Sequence, residues 1–101
     1  MSVVVDPDLA ADVFVVRLAG EVDVGSEPEL EKIVDAFDAS SCVDAVVDLA
    51  EVTFMDSTGL AMLVRLRKVC EACSGQLRVR NVGPQISSLL QATGLAGYFD
   101  S

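Results

Sequence analysis

Histidine is absent from the 101-residue sequence and basic residues are scarce: seven Lys and Arg stand against sixteen Asp and Glu, a net charge of −9. Without histidine there can be no His-based catalytic triad and no His-ligated metal. The acidic balance opposes binding to nucleic acid or to an anionic membrane surface, which leaves a protein as the expected partner. The three cysteines, Cys42, Cys70 and Cys73, are not the even set of a secreted disulfide framework and agree with a reducing, cytoplasmic compartment. No apolar run approaches the roughly 18 residues of a membrane span, and residues 1–10 lack a basic start followed by an apolar stretch. There is no internal repeat, linker or low-complexity tract. With 51% of its residues apolar, the chain suits one small domain, residues 1–101, around a single core.

Two β-branched runs come first, residues 3–5 and 13–18, separated by a polar turn through Asp6, Pro7 and Asp8; they predict an antiparallel hairpin. Gly20-Glu21-Val22-Asp23 then leaves the strand, and its two carboxylates fall in a loop. Ser26 with Glu29 three residues on is a candidate capping box, and Pro28 is tolerated in a first turn, so a helix starts here. Leu30, Ile33, Val34 and Phe37 form its apolar stripe. Residues 45–49 are apolar enough for a strand buried on both faces. A second helix is expected from Ser57 to about Cys73, with Met62, Leu63, Leu66, Val69, Cys70 and Cys73 on one face and Arg65, Arg67 and Lys68 in its later half. Ser74-Gly75 closes it with a residue that accepts positive φ. Residues 76–80 alternate like an edge strand. Pro84 opens a third helix with Ile86, Leu89 and Leu90 inward, and Gly94 stops it. Leu95, Tyr98 and Phe99 are expected to fold back as an apolar plug. The order implies an α/β fold, a mixed central sheet of about four strands with helices packed on it and right-handed crossovers between the later strands.

The stretch around which this order turns is Val52-Thr53-Phe54-Met55-Asp56-Ser57-Thr58-Gly59-Leu60, where a central strand gives way to a helix. Ligand sites of open α/β sheets favour this carboxyl end of the strands, and Glu21 and Asp23, leaving another strand, can reach the same edge. Asp56 or Ser57 can cap the helix by accepting a backbone N–H. Alternatively, the Ser57 hydroxyl lies exposed at the positive end of the helix dipole, where free N–H groups favour an added phosphate. On the pattern alone, capping is the favoured reading of both residues.

The Phe54-Met55-Asp56-Ser57-Thr58-Gly59-Leu60 turn, together with Gly20-Glu21-Val22-Asp23, resembles bacterial anti-sigma factor antagonists of the STAS-domain family. In that family an F-x-D-S-[S/T]-G-L turn carries a serine phosphorylated by a partner anti-sigma factor that is itself a serine kinase. The resemblance implies a STAS-like domain with Ser57 as the acceptor, Thr58 being the second hydroxyl available. It further implies that the unphosphorylated form binds the kinase and so releases a sigma factor, and that phosphorylation switches binding off. A phosphatase would restore the cycle. Glu21, Asp23, Asp56, Ser57, Thr58 and Gly59 would form the partner face, with Asp23 and Asp56 orienting the hydroxyl and Gly59 permitting close approach of the partner or of backbone. The chain would be a kinase substrate and no enzyme, binding no cofactor of its own, since ATP and its metal belong to the partner. A free monomer is expected. Ala61 departs from the family, where glycine is frequent.

Two rival readings exist. Single STAS domains also resemble cytoplasmic subunits of lipid-transport ATPases and scaffold components of stress-sensing complexes. Cys70-Glu71-Ala72-Cys73 is a C-x-x-C that would suggest a thiol redox enzyme, the weaker rival, because at the end of a helix the dipole disfavours thiolate and both residues are expected to be core thiols.

Overall fold

The computed structural model describes residues 1–8, 13–40 and 43–95. Four strands form one sheet in the order β1-β2-β3-β4: β1 (Ser2–Asp8) antiparallel to β2 (Val13–Val22), then β3 (Asp44–Met55) and β4 (Leu77–Arg80), each parallel to its neighbour. The helices are α1 (Glu27–Ala39), α2 (Ser57–Ala72) and α3 (Pro84–Ala92), with a short 3-10 turn at Val24–Ser26 before α1. The mixed sheet and the element order follow the sequence expectation.

Alternation along the strands decides which sheet face is buried. Phe14, Val16 and Leu18 of β2, Ala45, Val47 and Leu49 of β3 and Leu77 and Val79 of β4 point one way, into a core shared with the stripes of all three helices. From α1 come Leu30, Ile33, Val34 and Phe37, as the 3.6-residue spacing predicts. Phe37 meets Phe14 edge-on at 5.3 Å and 69°. Leu60, Met62, Leu63, Leu66 and Cys70 of α2 and Ile86 and Leu90 of α3 complete the core, with Val69, Leu89 and Leu95 packed at its margin. Tyr98 and Phe99 lie outside the described residues, so only the Leu95 part of the expected plug can be placed.

Several expectations change on the structure. The Asp6-Pro7-Asp8 segment is strand, with Pro7 opposite Phe14; β1 is an edge strand, where a missing N–H costs little. Residues 20–22 also remain in β2, because two register shifts, the second between Gly20 and Glu21, let the strand bend and carry on beside β3; Gly20 adopts φ +87°. Glu21 is therefore a strand residue. No capping box forms at α1: Ser26 is helical in backbone, and its hydroxyl donates instead to the Glu21 carbonyl at 3.4 Å. The β3 strand is not closed off on both faces. Val46 is buried, but Asp44 and Asp48 beside it are only half-buried, and Asp48 stands in one row with Arg17 and Arg80. Its carboxylate accepts from the Asn81 side chain and the Ala50 N–H, both at 2.9 Å; chiefly the Asn81 bond holds its pKa below the ordinary value. At the end of α2 the left-handed residue is Ser74, φ 63°, and not Gly75, where a side chain would collide with the Val43 backbone.

Candidate functional site

The strand-to-helix junction is built as the sequence predicts. Asp56 is the N-cap of α2, extended at φ −111° and ψ −168°, and its carboxylate accepts the Thr58 N–H at 2.8 Å. Its carbonyl accepts from the Gly59 and Leu60 N–H groups at 3.1 and 3.3 Å. Ser57, the first helical residue, is exposed, and Thr58 is half-buried. This changes one part of the expectation. The Thr58, Gly59 and Leu60 N–H groups are already engaged by Asp56, so they are not free donors awaiting a phosphate.

The Gly20-Glu21-Val22-Asp23 segment does reach the same edge. Glu21 pairs with Phe54 and Val22 with Met55, and the Asp56 N–H donates to the Val22 carbonyl at 3.1 Å, which fastens the serine turn to the end of β2. The Asp23 carboxylate accepts from the Gly25 N–H at 3.0 Å, capping the 3-10 turn. Neither Asp23 nor Asp56 is hydrogen-bonded to the Ser57 hydroxyl; each caps its own turn. Glu21 and Asp23 instead line a shallow depression with Thr53 and Glu29.

Ser57 and Thr58 open onto a different groove of about 300 Å³ between α1 and α2, walled by Glu27, Glu31, Ala61 and Arg65 and floored by Leu30 and Met62. Glu27, Glu31 and Arg65 were not assigned to the site from the sequence. Glu27 and Glu31 stand at i, i+4 on one polar face of α1 and Arg65 stands on α2, but which faces meet depends on helix packing that periodicity does not specify. Two exposed apolar side chains flank the acidic residues as well, Phe54 at 43% and Val24 at 68% exposure. Gly59 is buried and lies behind this surface. A Cβ there would stand 2.6 Å from Met55 Cγ and 3.0 Å from Val22 Cγ1, so glycine serves close packing inside the chain and not approach of a partner.

The C-x-x-C divides. Cys70 is fully buried, and burial is the main cause that pushes its thiol up to about 11, which leaves it protonated near neutral pH. Cys73, expected in the core, is exposed as the residue closing α2. Cys42 lies outside the described residues. Among the described residues no three Cys, Asp or Glu side chains group as a metal site, and no helix is long and apolar enough to cross a membrane.

A small mixed sheet with its helices on one face, and a capped serine turn at the carboxyl end of β3, define the class. The chain belongs to the STAS-domain family, whose family model matches residues 4–100. Among curated proteins it is 36% identical over 84 residues to an anti-sigma-B factor antagonist of Staphylococcus epidermidis, covering 83% of this chain and 78% of that one. Among solved structures, an anti-sigma factor antagonist from Mycobacterium paratuberculosis is 30% identical with a TM-score of 0.77, covering 97% of this chain and 83% of that one. The fold also matches the anti-sigma factor antagonist SpoIIAA in its unphosphorylated form, at 22% identity and a TM-score of 0.83 over 99% of this chain and 88% of that one.

Proposed function

We propose that this chain is an anti-sigma factor antagonist whose unphosphorylated form binds an anti-sigma factor, itself a serine kinase, and thereby frees a sigma factor, until phosphorylation of Ser57 ends the interaction. The observation that carries this reading is the exposed Ser57 at the capped start of α2, held beside Glu21–Asp23, in a chain 36% identical to an anti-sigma-B factor antagonist. A partner docking here meets Phe54 and Val24 as apolar anchors within an acidic surround of Glu21, Asp23, Glu27, Glu31 and Asp56, the mixture of buried apolar centre and polar rim that specific interfaces use. The chain supplies the hydroxyl and its placement. ATP, its metal and the groups that stabilise the transferring phosphoryl belong to the partner. A phosphatase that removes the phosphate would reset the switch.

Phosphate adds about −1.5 to −2 charges at a surface that is already acidic, so repulsion and desolvation disfavour renewed docking. The test is titration calorimetry of wild type, Ser57→Ala and Ser57→Glu against the anti-sigma factor kinase of the same genome. Wild type and Ser57→Ala should bind, and Ser57→Glu should bind at least tenfold more weakly. Equal affinity of Ser57→Glu and wild type would remove charge repulsion at this residue as the mechanism.

A further inference from the structure

The chain just before Ser57 is held from two sides. On one side Asp56 N–H donates to the Val22 carbonyl. On the other side β3 has outrun its neighbour: the β3–β4 pairing ends at Asp48 opposite Arg80, seven residues short of Met55. The backbone groups of Met55 on that side are taken up by a side chain from α3. Gln85 Oε1 accepts the Met55 N–H at 3.0 Å, and Gln85 Nε2 donates to the Met55 carbonyl at 2.9 Å. A primary amide used this way reproduces the donor–acceptor pair of a neighbouring strand, so Gln85 acts as a one-residue extension of β4.

We infer that Gln85 is a positioning residue for phosphorylation of Ser57, acting through Met55 to hold the acceptor turn. The inference rests on Ser57 being the acceptor. Met55 precedes the Asp56 cap directly, and its side chain is fully buried under Gly59, so its backbone fixes where α2 starts and where the Ser57 hydroxyl stands. Without the amide, the Met55 N–H and carbonyl exchange with water and the turn is tied on the Val22 side alone. In-line phosphoryl transfer depends on placing the attacking oxygen, and misplacement acts on turnover more than on association. The clamp also makes the position of α3 a determinant of Ser57 geometry.

The discriminating variant is Gln85→Glu, paired with Gln85→Ala. At neutral pH the introduced carboxylate can still accept the Met55 N–H but has no donor for the Met55 carbonyl; once protonated, its O–H replaces the lost donor. In ¹H–¹⁵N spectra of the full chain, the Met55, Asp56, Ser57 and Thr58 amides of Gln85→Glu should be displaced at pH 7. As the introduced carboxyl is protonated, they should converge on the positions that wild type shows at the same pH. Loss of α3 packing alone would give no such reversal. With the anti-sigma factor kinase of the same genome and ATP–Mg²⁺, both variants should lose roughly tenfold in kcat for Ser57 phosphorylation, with KM for this protein within about twofold of wild type. Wild type and Ser57→Ala are run beside them. If wild type takes no phosphate at Ser57, the functional reading fails, and the clamp is judged by the amide titration. If wild type is phosphorylated there and both Gln85 variants keep its kcat, or if the Ser57 and Thr58 amides of Gln85→Glu differ from wild type by the same amount at every pH, the inference is overturned.

Discussion

Replacing Gly59 by alanine sets two effects of opposite sign against each other, and their sizes decide the outcome. A helix interior prefers alanine to glycine by about 0.8–1.0 kcal/mol, and a third helical residue realises at most that much. Against this, the new Cβ would lie 2.6 Å from Met55 Cγ, 2.9 Å from Met55 Sδ and 3.0 Å from Val22 Cγ1, where carbon atoms in favourable contact sit about 3.5–4.0 Å apart. Methionine normally yields to such crowding, but Met55 is fully enclosed, and Val22, also fully buried, is β-branched and stiff at χ1. Overpacking of this kind costs about 1–3 kcal/mol. Gly59→Ala should therefore destabilise by about 1–2 kcal/mol, which for a domain of this size lowers Tm by about 5–10 °C. Urea and thermal unfolding measure it directly. In a double-mutant cycle with Met55→Ala, the crowding should largely vanish, leaving a coupling of about 1 kcal/mol or more. A Gly59→Ala protein as stable as wild type, or strictly additive effects in the cycle, would refute close packing as the reason for glycine here.

Two further outcomes are expected. In the native protein at pH 8, iodoacetamide should label Cys73 and spare Cys70 until unfolding, because one thiol is exposed and the other is buried with its pKa raised to about 11; equal native labelling of both, read by peptide mass, would contradict the burial assigned to Cys70. Asp48 has a folded pKa below its ordinary value of 3.8, so its stabilising contribution is complete above that value and is lost as pH falls through it toward the folded pKa. Asp48→Asn should accordingly flatten the acid limb of stability against pH below about 5, and a variant profile parallel to wild type between pH 5 and 3 would count against the Asn81–Asp48–Arg80 arrangement.

The sequence revealed the parts of the fold that rest on periodicity. The stripes of α1 and α2, the alternation of β4 and the Pro84 start of α3 all depend on local chemistry, and all were legible. What failed depends on a neighbour across the fold. Ser26 and Glu29 have the spacing of a capping box, yet the preceding 3-10 turn puts Ser26 in a helical backbone with its hydroxyl on Glu21, and only the structure reveals that turn. Ser74-Gly75 offers glycine for the left-handed position, but Val43 lies so close that glycine is needed one residue later and Ser74 takes the strained conformation. The same division runs through the site. Asp56 and Ser57 were legible because caps and helix starts are local. The Glu27–Glu31–Arg65 walls and the Gln85 clamp were not, since a packed helix pair and a contact thirty residues apart leave no periodic trace.

The capping pattern also bears on how a phosphate would act. Had the Thr58, Gly59 and Leu60 N–H groups been free, a phosphoryl group on Ser57 could fold back onto them, gaining up to about 1 kcal/mol from the dipole and hiding its charge from a partner. Asp56 already holds the Thr58, Gly59 and Leu60 N–H groups and adds its own negative charge beside the serine. A phosphate there would therefore find these three donors taken, and would stand at the groove walled by Glu27 and Glu31. Each like charge brought within about 4 Å of it costs about 1 kcal/mol in water and about 4 kcal/mol at the partly dry edge of an interface. A micromolar complex has only about 8 kcal/mol of binding free energy, so one or two such contacts are enough to dissociate it. A switch of the proposed kind would then need no refolding of the antagonist: the helix cap that holds Ser57 would leave a phosphate on it facing the partner.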